Sequence, residues 1–467
     1  MSNPKPQKEI SDEVNSRTHQ PPASAANTPD MKKQSITEEK LRQAKKELAG
    51  VEELVTETHD RQLWLAAKTA VAVAAAVSID QRANPLVVIF EGGSGRGKSF
   101  VINLIEPDRD ATQERLIRLD SFTPKCFVSH AANKKPEALA KIDLLPKLKD
   151  KTLLVKELAP IFRGREDALR ENFAILTSVL DGRGLVSASG THGTRGYEGR
   201  YVFNWIGGTT PIPPETDRIM SQLGNRIFRY EIVAVDHPEE DLMDFAENYE
   251  PKEIENQYRT AANSFVEKHF KRFPVNSVQP SEIRFGKPQI QQLVRCAKLM
   301  SIGRVEVNMT RPHWGTDIEY VSGIPEGEHR VIIGLKLLAQ GLALISGRAE
   351  VSDEDLEIIR HIAFSSIPQN RRFMLRALLV KDGILTSVDA EKELRISRPT
   401  ARNWMKELGA TGLADYQMGH ENQPDRVTLS KSFSWLLAKE DDSKGESPEN
   451  EAFSEAAPTE QENAESH

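Results

Sequence analysis

Short apolar runs alternate with longer helix-forming stretches between residues 86 and 236. This alternation favours a mostly parallel sheet flanked by helices, because each parallel strand needs a crossover connection to the next. The predicted strands are residues 86–90, 115–119, 152–155, 201–206 and 227–235. The pattern therefore predicts an α/β core.

Helix-forming residues lie on both sides of this core. Residues 37–79 are polar as far as about His59 and apolar from 63 to 79. The apolar part contains Lys68 and is too short for a membrane span, so we expect a buried helix. Residues 237–365 are largely helical in pattern, most clearly over 328–346 and 352–364.

The C-terminal third ends in a separate pattern of short elements. Helices are predicted over 371–380, 387–394 and 398–408, with Ser397 as N-cap of the third. Strands over 413–416 and 426–429 follow, with a polar loop between them. Three helices followed by a β-hairpin are typical of a winged helix-turn-helix.

Composition divides the chain further. Residues 1–36 and 438–467 have too little apolar surface to fold, so we predict disordered tails. Between them we predict an α/β nucleotide-binding core with N-terminal helices (37–236), a helical lid (237–365) and a winged helix (366–437). The net charge is −7, but residues 439–467 alone contribute −8. The remainder is nearly neutral, so a local basic patch for nucleic acid stays possible.

The cysteines and the N-terminus indicate the compartment. Cys126 and Cys296 are the only cysteines, and they fit no metal-ligand spacing. We expect both to be reduced thiols. The N-terminus lacks an apolar signal-peptide core. These features favour a cytoplasmic protein with no membrane partner.

The chemistry is clearest where the first predicted strand ends. The sequence there matches G-x-x-x-x-G-K-[ST] between an apolar strand and a helical stretch, which is the context of a P-loop. Glycines let backbone amides surround phosphates, and the helix N-terminus adds its positive end. We expect Lys98 to reach the β- and γ-phosphates of ATP and Ser99 to bind Mg²⁺. The predicted nucleotide-binding residues are Gly92, Gly93, Ser94, Gly95, Arg96, Gly97, Lys98 and Ser99.

Hydrolysis requires an acid at the end of a neighbouring strand, and Glu157 is the first candidate. It follows the predicted strand 152–155, could polarise the attacking water and could help to hold the metal. The position before it, where a second acid is usual, is Lys156. Either Glu157 serves both purposes or hydrolysis is slow or absent. Asp120 is the second candidate acid.

Two further residues complete a possible catalytic set. Thr210 follows the predicted strand 201–206 and could hold the water or the γ-phosphate as a sensor; the alternative is a simple strand-end turn. Arg226 directly precedes the strand 227–235, where it could act as an arginine finger in the site of a neighbouring subunit. Taken alone, such an arginine is more often a surface residue.

In this order, the motifs resemble those of the AAA+ ATPases. The group with a β-hairpin before the sensor strand, such as the minichromosome-maintenance helicases, is most similar. The glycine-rich stretch 185–200 resembles that hairpin, the lysine-rich stretch 121–149 a second inserted loop, and 326–333 with 351–356 the lid. The resemblance implies that Arg330 is a second sensor arginine beside the P-loop of its own chain. It also implies a homo-oligomer, most simply a hexameric ring, with the hairpin in its central channel.

DNA contact is predicted at two places. The hairpin supplies basic residues on a flexible loop, which can approach a phosphate backbone closely; the alternative is a solvated hairpin. The third helix of the winged module has residue types suited to phosphates and base edges, although many winged helices bind protein instead. The predicted DNA-binding residues are Arg183, His192, Arg195, Arg200, Arg398, Arg402, Asn403 and Lys406.

Three functions remain open from the sequence. The first is an ATP-driven motor, helicase or remodeller that acts on DNA as a ring. The second is a DNA-bound ATP switch with little turnover, which Lys156 favours. The third is a signalling or scaffold ATPase of a mobile-element or phage-defence system, whose winged helix binds protein.

Overall fold

A computed structural model describes residues 36–106, 115–130, 134–190, 193–224, 226–233, 239–248, 251–310, 319–420 and 423–437. These residues all belong to one compact unit spanning Gln34–His467. The predicted tails lie almost wholly outside the described residues. The predicted domain boundaries inside the unit stay predictions.

The first half of the chain contains the central sheet. In chain order its elements are α1 (Glu38–Thr56), α2 (Arg61–Ala75), β1 (Leu86–Glu91), α3 (Lys98–Leu104), β2 (Leu116–Leu119), α4 (Pro136–Ile142), α5 (Leu145–Leu148), β3 (Thr152–Val155), α6 (Ala159–Phe162), α7 (Glu166–Val179), β4 (Gly184–Ser189), β5 (Gly193–Glu198), β6 (Asn204–Thr209), α8 (Pro214–Leu223) and β7 (Phe228–Glu231).

The second half is mainly helical. Its elements are α9 (Glu239–Asn248), α10 (Pro251–Arg272), α11 (Lys287–Gly303), β8 (Val307–Thr310), β9 (Glu319–Ser322), α12 (Glu328–Ile345), α13 (Asp353–Ser365), α14 (Gln369–Val380), β10 (Ile384–Thr386), α15 (Ser387–Leu394), α16 (Arg398–Thr411), β11 (Ala414–Gln417) and β12 (Arg426–Leu429).

The central sheet has five strands, all parallel, in the order β2-β3-β6-β1-β7. Alternate residues of each strand enter different cores: Val88 and Phe90 pack on one face of the sheet, Val87 and Ile89 on the other. Helices therefore cover both faces, and the carboxyl ends of all five strands meet at one edge. The predicted α/β class with a parallel sheet is confirmed.

The apolar stretch 63–79 forms the buried helix that the sequence predicts. In α2, every residue from Trp64 to Ala75 is buried, and the helix packs on the sheet and on α12. Asn204 is the first residue of β6, and its side-chain amide donates to the backbone carbonyl of Val73 at 2.6 Å, which ties the helix to the sheet. In the described part of the chain, no helix is both long and apolar enough to cross a membrane.

Several small elements differ from the sequence prediction. The hairpin β8–β9 lies in a region that the pattern assigns to helices, and β10 adds a third strand to the sheet β10-β12-β11 of the C-terminal module. The prediction places β6 three residues too early, since Tyr201 to Phe203 precede the strand. These four-residue and three-residue strands are too short to give a clear periodicity.

Candidate functional site

The glycine-rich turn follows β1 at the carboxyl edge of the sheet. Its first residue, Gly92, donates through its backbone amide to the carbonyl of Thr209 at 3.2 Å. Gly95 and Gly97 have φ angles of +78° and +82°, which side chains with a Cβ rarely adopt. A Cβ on Gly97 would also lie 2.6 Å from a methyl carbon of Leu63. Glycine is required here both by conformation and by packing.

Lys98 and Ser99 begin α3 directly after this turn. The ammonium nitrogen of Lys98 donates to the carbonyl oxygens of Gly92 and Gly93, at 2.7 and 2.5 Å. Burial lowers the pKa of Lys98, and the negative charge of Glu157 opposes that shift. The ammonium group of Lys98 thus lies inside the turn, where its positive charge could contact a bound phosphate. Ser99, the next residue, is exposed.

Glu157 lies at the same edge, after β3. Its carboxylate is exposed and accepts a hydrogen bond from the backbone amide of Ala159 at 2.8 Å. The next residue, Leu158, donates through its amide to Gly208 of β6 at 2.8 Å, which fixes this segment to the neighbouring strand. The carboxylate is therefore held in place near the P-loop lysine.

Lys156 is already neutralised by another side chain. Its ammonium group lies 3.2 Å from a carboxylate oxygen of Glu106, which follows α3 and also pairs with Arg118. Asp120, the second candidate acid, lies after the edge strand β2 and pairs with Arg118 at 2.8 Å. Because β3, β6 and β1 follow in that order, Asp120 is far from the P-loop along the sheet, and Glu157 is the better-placed acid.

Thr210 follows β6, which lies between β1 and β3. Its hydroxyl accepts a hydrogen bond from a terminal nitrogen of Arg163 at 3.2 Å. The sequence prediction missed Arg163, because no motif marks it; the turn of α6 brings it back to the strand end. The carboxyl edge thus gathers Lys98, Glu157 and Thr210 as predicted, with Arg163 in addition.

Two predicted catalytic arginines lie at the amino-terminal ends of the strands, opposite the P-loop. Arg226 pairs with Asp181 at 2.9 Å, and Arg330 contacts the same carboxylate at 3.3 Å. A small pocket there is lined by both arginines and by Leu86, the first residue of β1. Strand residues advance the chain by about 3.3 Å each, so this pocket lies roughly 17 Å from the P-loop.

The expectation that Arg330 lies beside the P-loop of its own chain is therefore wrong for this conformation. The helix α12 begins at the amino-terminal edge of the sheet, where the carboxylate of Asp181 compensates the charge of its arginine. Arg226 lies away from its own P-loop, as a residue acting on a neighbouring subunit must. Whether it does so stays a prediction.

An aromatic group borders the P-loop helix and was not predicted. The rings of His59 and Phe100 are 4.3 Å apart at their centroids, and Tyr258 lies 5.8 Å from Phe100. Burial lowers the pKa of His59, which the nearby charge of Asp60 partly offsets. The imidazole is therefore neutral near pH 7 and forms part of an apolar wall next to Ser99.

The donor set at the carboxyl edge suits Mg²⁺. Ser99 and Glu157 offer hydroxyl and carboxylate oxygens, the hard ligands that Mg²⁺ prefers. No cluster of three or more His, Cys, Asp or Glu side chains able to hold a metal occurs among the described residues. A magnesium ion here would therefore depend on nucleotide oxygens and water for most of its ligands, which is its usual mode in phosphate sites.

The predicted hairpin is present as β4–β5, antiparallel from Gly184↔Glu198 to Ser189↔Gly193. Arg195 does not extend from it into solvent. Its guanidinium pairs with the fully buried Asp143 at 2.5 Å and donates to the carbonyl of Ser129. Burial would raise the pKa of Asp143, but hydrogen bonds from Arg195 and Tyr197 outweigh it and hold the pKa below its usual value.

The prediction that Arg195 contacts DNA is therefore contradicted in this conformation, because a buried carboxylate needs its charge. Arg200 is 40% exposed although it pairs with Asp150 at 3.0 Å, and Arg183 is exposed. His192 lies outside the described residues. Only Arg183 and Arg200 of the described hairpin residues keep the exposure that the DNA prediction needs.

The third helix of the C-terminal module carries the predicted polar residues, of which Arg402 lies 3.5 Å from a carboxylate oxygen of Asp425. Ser397 caps α16, accepting from the amide of Thr400 at 3.3 Å. Arg402 and Asn403 are exposed, and Lys406 is partly so. Arg398 pairs with Glu391 at 2.8 Å and remains 48% exposed. Surface ion pairs of this kind are weak, so a phosphate can displace the carboxylate.

Comparison with known proteins adds little. No protein-family model and no curated protein matches the chain. Among solved structures, a match is the crystal structure of a "putative ATPase" from Cytophaga hutchinsonii ATCC 33406, with 11% sequence identity and a TM-score of 0.37. The match covers 70% of this chain and 88% of that one.

Proposed function

We propose that this protein binds ATP with Mg²⁺ and hydrolyses it, and that it uses the reaction to act on DNA. One observation carries the ATPase assignment. The P-loop lysine, the acid Glu157 and the polar residue Thr210 come from three separate strands and lie together at the carboxyl ends of β1, β3 and β6. In open parallel sheets this edge is where ligands bind.

Each residue has a defined task in this proposal. The amides of the glycine turn and the ammonium group of Lys98 bind the β- and γ-phosphates in place of the Gly92 and Gly93 carbonyls. Ser99 and Glu157 would hold Mg²⁺, which neutralises charge on the phosphates when bound. Glu157 accepts a proton from the attacking water, and Thr210 orients that water or the γ-phosphate.

The aromatic group next to α3 is the proposed place for the base. Phe100 is in the first turn of the helix that begins with Lys98 and Ser99, and His59 contacts its ring edge-on. A neutral imidazole and a phenyl ring provide an apolar surface for a purine.

Assembly into a homo-oligomer would complete the site. Arg226 and Arg330 lie at the edge opposite the P-loop. In a head-to-tail ring, this edge of one copy faces the P-loop of the next, and its arginines stabilise the charge of the transferred phosphoryl group. The resemblance to hairpin-bearing AAA+ ATPases supports this arrangement.

The DNA part of the proposal rests on the C-terminal module. Its three helices and three-stranded sheet have the order of a winged helix, and α16 exposes Arg402 and Asn403. Arg183 and Arg200 of the hairpin would add phosphate contacts. Arg195 takes part only if its pair with Asp143 opens.

Turnover of ATP with and without single- and double-stranded DNA tests the proposal. We expect Mg²⁺-dependent hydrolysis that DNA stimulates, loss of nucleotide binding in Lys98→Ala, and weaker DNA stimulation in Arg402→Ala. Unchanged nucleotide binding in Lys98→Ala would refute the site. Absence of DNA binding at low salt, where the electrostatic contribution is largest, would refute the DNA role.

A DNA-bound switch with little turnover is the second candidate. The observation that favours it is the Lys156–Glu106 pair at 3.2 Å, which places a cation where a second acid is usual. Nucleotide-dependent DNA binding without measurable hydrolysis would identify this function instead.

A further inference from the structure

Arg163 is an exposed arginine at the carboxyl edge of the sheet, on the segment that follows Glu157. A terminal nitrogen of its guanidinium donates to the Thr210 hydroxyl at 3.2 Å. Thr210 directly follows β6, the strand next to the one that carries the P-loop. The arginine therefore lies at the carboxyl ends of the strands, beside the residue proposed to orient the terminal phosphate or the attacking water.

The backbone around Arg163 is held firmly. At one end, the amide of Leu158 donates to the carbonyl of Gly208 at 2.8 Å. At the other, the buried Phe162 accepts a hydrogen bond at its carbonyl from the Thr216 hydroxyl at 2.7 Å. The segment is thus fastened to β6 and to α8, and the arginine side chain extends from it into solvent.

The charge of Arg163 has no acidic partner in the described part of the chain; its hydrogen bond is to a neutral hydroxyl. Apart from Lys98, which contacts backbone carbonyl oxygens, three other cationic side chains considered for the site differ in this respect. Lys156 pairs with Glu106, and both Arg226 and Arg330 pair with Asp181 at the far edge. An uncompensated guanidinium can take a phosphate without first losing a carboxylate.

We propose that Arg163 binds the terminal phosphate of a nucleoside triphosphate held by the same subunit, and thereby distinguishes ATP from ADP. The proposal rests on the nucleotide site proposed above. The planar guanidinium has five N–H donors, so it can bind two phosphate oxygens while it still contacts Thr210. It supplies within the subunit the positive charge that Arg330 does not supply there.

Nucleotide affinity tests this directly. Dissociation constants for ATP, a non-hydrolysable ATP analogue and ADP are measured by titration calorimetry for the unchanged protein and for Arg163→Ala, Arg163→Gln and Arg163→Lys. Hydrogen bonds to charged groups are strong, so we expect Arg163→Ala to weaken ATP and its analogue about ten-fold or more and ADP less than about two-fold. Arg163→Lys restores part of the difference.

Arg163→Gln keeps a polar side chain but removes the charge, so we expect it to resemble Arg163→Ala. The matched control is Arg165→Ala, which removes an exposed arginine two residues away that pairs with Asp167 at 3.1 Å. This variant should leave all affinities unchanged.

Four outcomes would overturn the inference. Equal weakening of ATP and ADP in Arg163→Ala would indicate a general effect on the site. Full ATP affinity in Arg163→Gln would show that the positive charge of Arg163 does not matter. If the unchanged protein binds ATP and Arg163→Ala binds ATP and ADP with the same affinities as the unchanged protein, Arg163 has no role. The proposed nucleotide site then still stands. If the unchanged protein binds no nucleotide, the proposed site and the role of Arg163 fail together.

Discussion

Replacing Arg372 by Met should destabilise the protein by about 3 kcal/mol at pH 7. Arg372 is on α14, is 1% exposed, and its guanidinium lies 2.9 Å from a carboxylate oxygen of Glu231. A second contact, at 3.8 Å, reaches Glu91, the last residue of β1 before the P-loop. The arginine thus joins the C-terminal module to the two strands β1 and β7, whose Glu91 and Glu231 are register partners.

The magnitude follows from the pKa of Glu231. Burial alone would raise that pKa, but the charges of Arg372 and Arg376 outweigh burial and lower the pKa from the ordinary 4.5 to about 2. At 1.36 kcal/mol for each pKa unit, the net difference is worth about 3 kcal/mol in favour of the ionised form, and Arg372 is the largest of the charges that cause it. Removing one partner of a buried pair costs a similar amount, about 3–5 kcal/mol.

The pH dependence has a definite sign. Because the pKa of Glu231 is lower in the folded protein, its contribution is complete above pH 4.5 and is lost as the pH falls from about 4.5 to about 2. The stability gap between the unchanged protein and Arg372→Met should therefore narrow between pH 7 and pH 3.5. Below pH 4.5 the unfolded chain takes up a proton at Glu231 while the folded protein keeps the carboxylate ionised, so the ion pair contributes less to the free energy of unfolding.

Urea unfolding followed by circular dichroism at both pH values measures this gap. The control is Arg284→Met, since Arg284 forms an exposed pair with Glu350 and should contribute less than about 1 kcal/mol. The double variant Glu231→Gln with Arg372→Met should lose less stability than the sum of the two single variants, because the two side chains contact each other directly. Equal midpoints for Arg372→Met and the unchanged protein at pH 7, or a gap independent of pH, would refute the reasoning.

Two further predictions concern the reaction. If the missing second acid limits hydrolysis, Lys156→Asp should raise ATP turnover at least ten-fold. Lys156→Met only removes the cation beside Glu106 and should raise turnover less. Unchanged turnover in both variants would show that this position does not limit the rate. Mixtures of Arg226→Ala and Glu157→Gln subunits should recover hydrolysis that neither parent has, because some interfaces then combine an intact acid with an intact arginine. A mixture as inactive as its parents would contradict a site shared between subunits.

The sequence alone determined the elements with strong local signals. The P-loop is recognisable because its glycines, lysine and serine are contiguous and lie between a strand and a helix. The buried helix α2 and the helices of the C-terminal module are recognisable because eight or more residues in a row show one periodicity or one composition. The α/β class and its parallel sheet followed from the same local alternation.

Only the tertiary structure decided which side chains, distant in the sequence, form ion pairs and hydrogen bonds with each other. Arg195 had the residue type and loop context of a DNA contact, yet a buried Asp143 more than fifty residues earlier takes its charge. Arg330 lies at the far edge with Arg226 because of the direction in which α12 meets the sheet. Arg163 reaches Thr210 because α6 turns the chain back after β3. Ion pairs and strand-edge contacts depend on three-dimensional proximity, which no local pattern records.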